Sequence, residues 1–362
     1  ESLSGAGIYE ASIAKGRRAS SASTYLKKAK KRKNLVIKTQ TTVKQILFEN
    51  NQAVGVAAVR KNQQVHYIAT KEIVLAAGAI DSPKLLQLSG VGKGIELKKL
   101  GINVIKNLPA VGQNLQDHVC DGFIFETKVK TLNDDLRGFY NKAKLGAQYI
   151  FGHRGPLSIS INQAGGFVST NTKLSKPNIQ LYFNPLSYQY NPNSRGIVEP
   201  LPDSGVMLSY SPCRPTSRGS VTLLDADYRS TAIIQPNYLS SDEDVANIIE
   251  GAKFVAKLSQ SPAFARLLTN SVDNDLSNYS DADFLQHFKE QGGSIYHLCG
   301  SCAIGNDNKT SAVDPSLKVH GLRSLRIVDA SVFPNIISGN INAATMMVAE
   351  KGSAQIIQDH RQ

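Results

Sequence analysis

Two stretches near the C-terminus decide the reading of this chain: Tyr296-His297-Leu298-Cys299-Gly300-Ser301-Cys302-Ala303-Ile304-Gly305, and LRIVDASVFPNIISGNINAATMMVAEKGSAQII from Leu325 to Ile357. Histidine is the side chain whose ordinary pKa lies near neutrality, so it serves proton transfer. His297 stands just before Gly300, Ser301 and Ala303, small residues that let backbone approach a flat ring closely. LRIVDAS reads as an apolar strand closing on Asp329, Pro334 interrupts regular structure, and Ser338 to Asn342 form a turn before the apolar helix ATMMVAEKGSAQII. A helix start offers unpaired N–H groups and the positive end of a dipole, suited to an electron-rich group. Each feature has a plainer alternative: a histidine packed at a strand-to-turn junction, a common strand–Asp turn, and Asn340 or Asn342 as a simple N-cap.

Working outward, 362 residues exceed what a single core usually supports, and two domains are expected. Hydrophobic residues at 41% and charged ones at 19% argue for a folded globular chain and against disorder. The formal charge of +12 raises the question of a polyanionic partner. Much of it sits in LKKAKKRK, Leu26 to Lys33, where only Tyr25 lies near as a stacking group, so a solvated helix face is expected and no nucleic acid. No run of about 18 apolar residues exists, so no membrane-spanning helix is expected. Four irregularly spaced cysteines, Cys120, Cys213, Cys299 and Cys302, do not make a disulfide framework, and reduced thiols are expected; the location is left open, with the cytoplasm favoured.

From Asn34 the pattern is β-rich: a strand from Asn34 to Thr39, then VKQILFE, a turn at Asn50-Asn51, AVGVAAVR, a turn at Lys61-Asn62-Gln63, and QVHYIAT, a meander of hairpins. Glu72 to Ala79 reads as a buried strand of an α/β sheet, and Ser82-Pro83 as the N-cap and first turn of a helix through KLLQLSG. Past Asp117-His118 turn-rich segments such as YNPNSRGIVEPLPDSG mark a domain boundary. PNIQLYFNP and SVTLLDAD suggest an antiparallel sheet, followed by helices after Ser240-Ser241-Asp242 and over Asp281 to Gln291.

Cys299 and Cys302 form a C-x-x-C pair, a redox or metal spacing. A zinc site would need two further ligands, His297 and His320 being the candidates, but no second C-x-x-C or H-x-x-x-H exists. A thioredoxin-like pair would want a helix N-terminus after a βαβ unit. No metal is expected.

Several ordered segments resemble the glucose–methanol–choline (GMC) oxidoreductases, in texture the choline dehydrogenase-like branch. GAIDSPKLLQLSGVG (Gly78 to Gly92) is similar to the family's second signature, and NLPAVGQNLQDHV (Asn107 to Val119) to its V-G-x-N-L-x-D-H segment. GRRASSASTYL, YHLCGSCAIG and SGNINAATMMVAEK match further family segments. The resemblance implies a flavoprotein that oxidises a small-molecule alcohol to an aldehyde or ketone. His297 would take the hydroxyl proton, hydride would pass to flavin N5, and Asn340 would hydrogen-bond the same oxygen. It further implies FAD contacts from Val43, Ala77, Gly78, Asp329, Ala330, Asn340 and Ile341. A hydroxynitrile lyase of the same family and an inactive truncated product are the alternatives.

The family pattern also carries a strand, a G-x-G-x-x-G turn and a helix for the dinucleotide pyrophosphate. Gly5-Ala6-Gly7 lacks the third glycine and a preceding strand. The expectation is therefore a chain resembling the C-terminal two thirds of a member, completed by an N-terminal fragment or chain. The expected fold is mixed α/β and α+β: a partial FAD-binding α/β domain lacking its N-terminal Rossmann βαβ unit, plus an antiparallel-sheet substrate domain with helices. Expected boundaries are a family segment over 1–26, part of the FAD-binding domain over 27–119, the substrate domain over 120–291, and the C-terminal part of the FAD-binding domain with the catalytic residues over 292–362.

Overall fold

Asn50 and Asn51 both take positive φ, 47° and 61°, the conformation that a two-residue hairpin turn requires and that asparagine tolerates. They fold strand Thr41–Glu49 back onto Gln52–Arg60, and Lys61 and Asn62, at 49° and 65°, do the same for Gln63–Ile68. The meander expected from the sequence is therefore present, as an antiparallel three-stranded sheet. The strand expected over Asn34 to Thr39 is not formed; Leu35, Val36 and Ile37 lie exposed. Its apolar residues find no ladder to pair with, and β-propensity without a partner does not make a strand.

The computed structural model describes residues 3–190, 198–271 and 275–361. The turn-rich stretch expected around YNPNSRG falls largely outside them. The chain divides into two compact units, one of Glu1–Ile37, Val119–Cys213 and Val245–Gly293, the other of Lys38–His118, Arg214–Asp244 and Ser294–Gln362. In place of a continuous 120–291 domain, Arg214–Asp244 joins the second unit.

The first unit is built on an antiparallel sheet whose strands lie in the order Gly5–Ile8, Ala164–Val168, Ile179–Asn184, Gly205–Pro212, Val119–Thr127, Leu268–Ser271. Gly5-Ala6-Gly7 is thus part of an edge strand, paired with Gly165 to Phe167. Alternation along each strand gives the sheet a helix-covered face, where Phe123 meets Phe284 and His287, and Tyr210 packs against Gly251. Phe183 packs on Phe264, whereas Tyr182 points to the other face beside Tyr9. Helices form at Asp242–Ser259 and Asp281–Gln291, the second starting on a capping box of Ser280 and Asp283.

The larger core of the second unit buries Leu75, Leu86, Val111, Cys299, Cys302, Val313, Ile327 and Val332, and a smaller cluster is formed by Ala79, Leu115 and Val221. The unit has two parallel pairs among the described residues, Ile73–Leu75 with Leu325–Ile327 and the short Val91–Gly92 with Lys106–Asn107. The helix expected to start at Ser82 starts at Gly78 and runs to Leu88, with Pro83 inside it. Ser82 does not cap: its hydroxyl accepts from Ala77 N at 3.1 Å and donates to Asp329 Oδ2 at 2.5 Å. Pro83 has no N–H for the carbonyl four residues back, which would leave Ala79 O unpaired. The buried Ser301 hydroxyl donates to that oxygen at 2.5 Å.

Arg326, 2% exposed, ties this unit together: Nε donates to Glu72 Oε2 at 2.8 Å, Nη1 to Ser316 O at 2.8 Å, and Nη2 to Asp359 at the end of helix Asn342–Asp359. Arg326→Met leaves the buried Glu72 carboxylate with only His360, and removing one partner of a buried pair is costly. Urea unfolding is expected to show a loss of about 3 kcal/mol.

Candidate active site

In the second unit the segment Asn114 to His118, which begins in the strand Gln113–Leu115, lies between the histidine segment and the turn before the last helix. Gln116 N donates to Cys299 O and Cys299 N to Gln116 O, both at 2.9 Å. Gly300, at φ 85°, is forced by this approach, since a Cβ there would meet Asn114 O at 2.6 Å and Gln116 Nε2 at 2.8 Å. The same segment reaches further. Asn114 Nδ2 and Gln116 Nε2 donate to Pro334 O at 3.3 and 3.1 Å, and Gln116 Oε1 accepts from Ile336 N at 3.0 Å.

Asp117 is buried and accepts three hydrogen bonds: from His297 N at 2.8 Å, Tyr238 OH at 2.6 Å and Ser294 Oγ at 2.5 Å. Tyr296, at φ 63°, makes the turn that delivers the next residue. The His297 ring is then held at both nitrogens, Nδ1 lying 2.9 Å from Nδ1 of His118 and Nε2 3.2 Å from Nδ2 of Asn340. The two imidazoles meet edge to face, with centroids 5.1 Å apart. Two Nδ1 atoms at this distance share one proton. With the Asn340 amide presenting N–H to Nε2, the His297 proton sits on Nδ1 and the lone pair on Nε2.

Burial first, and then the repulsion that a protonated His118 would exert, push the His297 pKa down from 6.5 to about 4. This departs from the near-neutral value expected from the sequence, and it keeps the ring neutral. The proton binds more readily to the unfolded chain, so the stability this residue contributes is fully present above about pH 6.5 and is lost as pH falls toward about 4.

The other expected residues divide. Asp329, buried, binds Gly78 N at 2.9 Å and the Ser82 hydroxyl through Oδ2, and Ser331 N at 2.8 Å through Oδ1. Ala77, Gly78, Asp329 and Ala330 therefore cluster where the parallel strands Ile73–Leu75 and Leu325–Ile327 end, the edge at which α/β sheets bind ligands. Gly78 has φ 86° and no atom within 4 Å of where a Cβ would stand. Val43 is not in this cluster; it pairs with Ala58 at a bulge in the separate meander sheet. Asn340 and Ile341 precede helix Asn342–Asp359, whose cap is Ile341 without a side-chain bond. Neither asparagine is its N-cap, and the Asn340 amide turns to His297 instead.

The C-x-x-C pair is packing. Cys299 and Cys302 are fully buried, and burial pushes the Cys299 thiol up to about 12, far from a reactive thiolate. His320, the zinc reading's other candidate, has Nε2 within 3.0 Å of Gly305 O. His118, Asp117, Asn114 and Gln116 were not singled out as site residues from the sequence; an Asp–His pair closing the apolar NLPAVGQNLQDHV segment was the available signal.

Two GMC oxidoreductase family models match the chain, the N-terminal one over residues 1–120 and the C-terminal one over 215–349. The expectation of a likeness to the C-terminal two thirds only is corrected by the N-terminal match, and nothing in the comparisons supports a separate N-terminal partner. The chain is 35% identical to an alcohol dehydrogenase [acceptor] of Pseudomonas putida over 98% of its length and 64% of the relative's. It is 38% identical to an oxygen-dependent choline dehydrogenase of Pseudomonas savastanoi pv. phaseolicola over 93% of its length and 58% of the relative's. It thus spans about three fifths of these relatives. Among solved structures it superposes on formate oxidase of Aspergillus oryzae with a TM-score of 0.87 at 25% identity, covering 96% of this chain and 64% of that one.

His118→Phe keeps the site filled and removes the second titratable ring. The His297 pKa, followed by NMR, is expected to rise from about 4 part of the way to 6.5, burial accounting for the remainder. A value that does not move would assign the whole shift to burial.

Proposed function

Because the chain belongs to the GMC oxidoreductase family, we propose that it carries the acid–base pair and part of the FAD-binding surface of an alcohol oxidoreductase, with His297 as base and Asn340 as partner. The carrying observation is that the lone pair of His297 Nε2 is presented beside the Asn340 amide, at 3.2 Å, while His118 occupies the other ring nitrogen at 2.9 Å. The coarser reading, an enzyme of this family acting on CH–OH groups, is supported by the dehydrogenase relatives.

Members of the family are FAD-dependent, and the bound flavin supplies the hydride acceptor. The residues of this chain fit that group. Gly78 leaves open space at a helix start, and Ala77 and Ala330 are small, so a flat cofactor can approach the backbone there. Ala77, Gly78, Asp329 and Ala330 would hold the dinucleotide through the strand ends, and Asn340 and Ile341 would offer the start of the last helix to its electron-rich ring. Val43 would contribute backbone from the meander.

What the chain's own groups do is positional. A substrate hydroxyl donates its proton to His297 Nε2, and an Asn340 N–H holds the same oxygen, fixing the carbinol carbon's direction. His118, receiving the Nδ1 proton, is a positioning residue that selects the basic tautomer. The low pKa has two consequences: the base needs no deprotonation above about pH 5, and it holds the transferred proton weakly.

The test is anaerobic mixing of the FAD-loaded chain with a panel of primary alcohols, including choline, followed by flavin absorbance. Bleaching by at least one alcohol is expected. His297→Ala is expected to lower kcat/KM by about 10²–10⁴-fold and Asn340→Ala by about 10–100-fold. The pH profile should be flat above about pH 5 and fall toward about 4. Unchanged turnover in His297→Ala would remove the base from the proposal.

A further inference from the structure

Helix Phe139–Gly152 in the first unit is turned inside out. Leu145 is its one buried residue, and Asn141 and Tyr149, a turn to either side, are half-buried next to it. At about 100° per residue the opposite side carries Phe139, Ala143, Ala147 and Ile150, with Tyr140 and Phe151 beside them. Phe139 is 88% exposed, Tyr140 79%, Ile150 68% and Phe151 88%. A contiguous apolar strip presented to water on a regular helix marks an interaction surface.

Charge identifies what it meets. Lys142 flanks the strip on one side and Lys144 on the other, Arg137 and Arg154 bracket the helix, and no Asp or Glu occurs from Leu136 to Arg154. The Lys15-Gly16 turn abuts the C-terminal end so closely that a Cβ on Gly16 would lie 1.9 Å from His153 O, which adds Lys15 and Arg17 there. Two acids lie just before the helix: Asp134, whose carboxylate is occupied by Thr131 N and Ser204 Oγ and lies 3.9 Å from Arg137, and the exposed Asp135, so the net positive charge along the helix comes from Lys142, Lys144 and Arg154. A second copy of the helix would set lysines against lysines. The helix, about 21 Å long, is too short to cross a bilayer, and no helix among the described residues is long and apolar enough to do so.

We propose that this helix lies flat on an anionic phospholipid surface, its aromatic strip at the boundary between headgroups and acyl chains and its cations on the lipid phosphates. The test is co-sedimentation of the whole chain with vesicles of 70:30 phosphatidylcholine:phosphatidylglycerol and of phosphatidylcholine alone. Binding to the anionic vesicles is expected, weakened by 0.5 M salt. Both Phe139→Ser/Ile150→Ser/Phe151→Ser and Lys142→Glu/Lys144→Glu should reduce it at least about tenfold. These residues are exposed, so unchanged circular dichroism is expected and verifies the fold. The chain contains no tryptophan, so Phe139→Trp gives a single indole whose emission should shift to the blue on vesicle binding. Failure of the wild type to sediment, binding unaffected by the triple substitution, or an indole that stays in water would each overturn the proposal. So would a dimer in sedimentation velocity that the triple substitution dissociates, which would give the strip to a second copy.

Discussion

The carboxylate of Asp117 is the point on which the site of the second unit hangs. It is buried, has no ion-pair partner among the described residues, and is satisfied by three donors, one of them the backbone N–H of His297. A buried carboxylate is tolerated only when its oxygens are hydrogen-bonded, so the Tyr238 and Ser294 hydroxyls are conditions of its presence. Position follows from this. Asp117 fixes the His297 backbone, its neighbour His118 fixes the ring, and Asn114 and Gln116 fix the segment from Pro334 to Ile336 that leads to Asn340. Five consecutive residues thereby bring together two segments that the sequence keeps some forty residues apart.

The chemistry of this arrangement lies in keeping charge away. His297 is neutral because burial and a second imidazole oppose its protonation, and the neighbouring thiols stay protonated because they are enclosed in the core. Fixed dipoles take the place of full charges. Hydrogen-bond donors converge on Asp329, and the starts of two helices, at Gly78 and Asn342, lie next to the residues that the family resemblance connects with the cofactor.

Much of this could be read from residue types, and the failures have physical causes. Hairpins follow from Asn50-Asn51 and Lys61-Asn62 because a tight turn is a local matter. The strand–Asp turn at Asp329 and the last helix follow from apolar patterning. The start of the helix at Gly78 could not be read, because Ser82 has the side chain of an N-cap and gives it to Asp329, 247 residues away. The Asn34 to Thr39 run has strand composition but no partner. Asn340 could be a cap or a ligand by sequence, and only the position of His297 decides between them. His118 was visible as one letter of a family segment; its role depends on a ring contact across 179 residues.

Each compact unit is assembled from three stretches, interrupted by the other. The bond between Gly78 and Asp329 joins residues 251 positions apart, and the strand Ile73–Leu75 has Leu325–Ile327 as its parallel neighbour. During synthesis at about 5–20 residues per second, the early strand and the helix after it wait on the order of 10–50 s for the segment that covers them. Local hairpins form in that interval, but the parallel pair, the Asp117 contacts and the His297 pocket cannot. The second unit is therefore an obligatorily late structure, with Leu75, Leu86 and Val111 open to misassociation until the final seventy residues arrive.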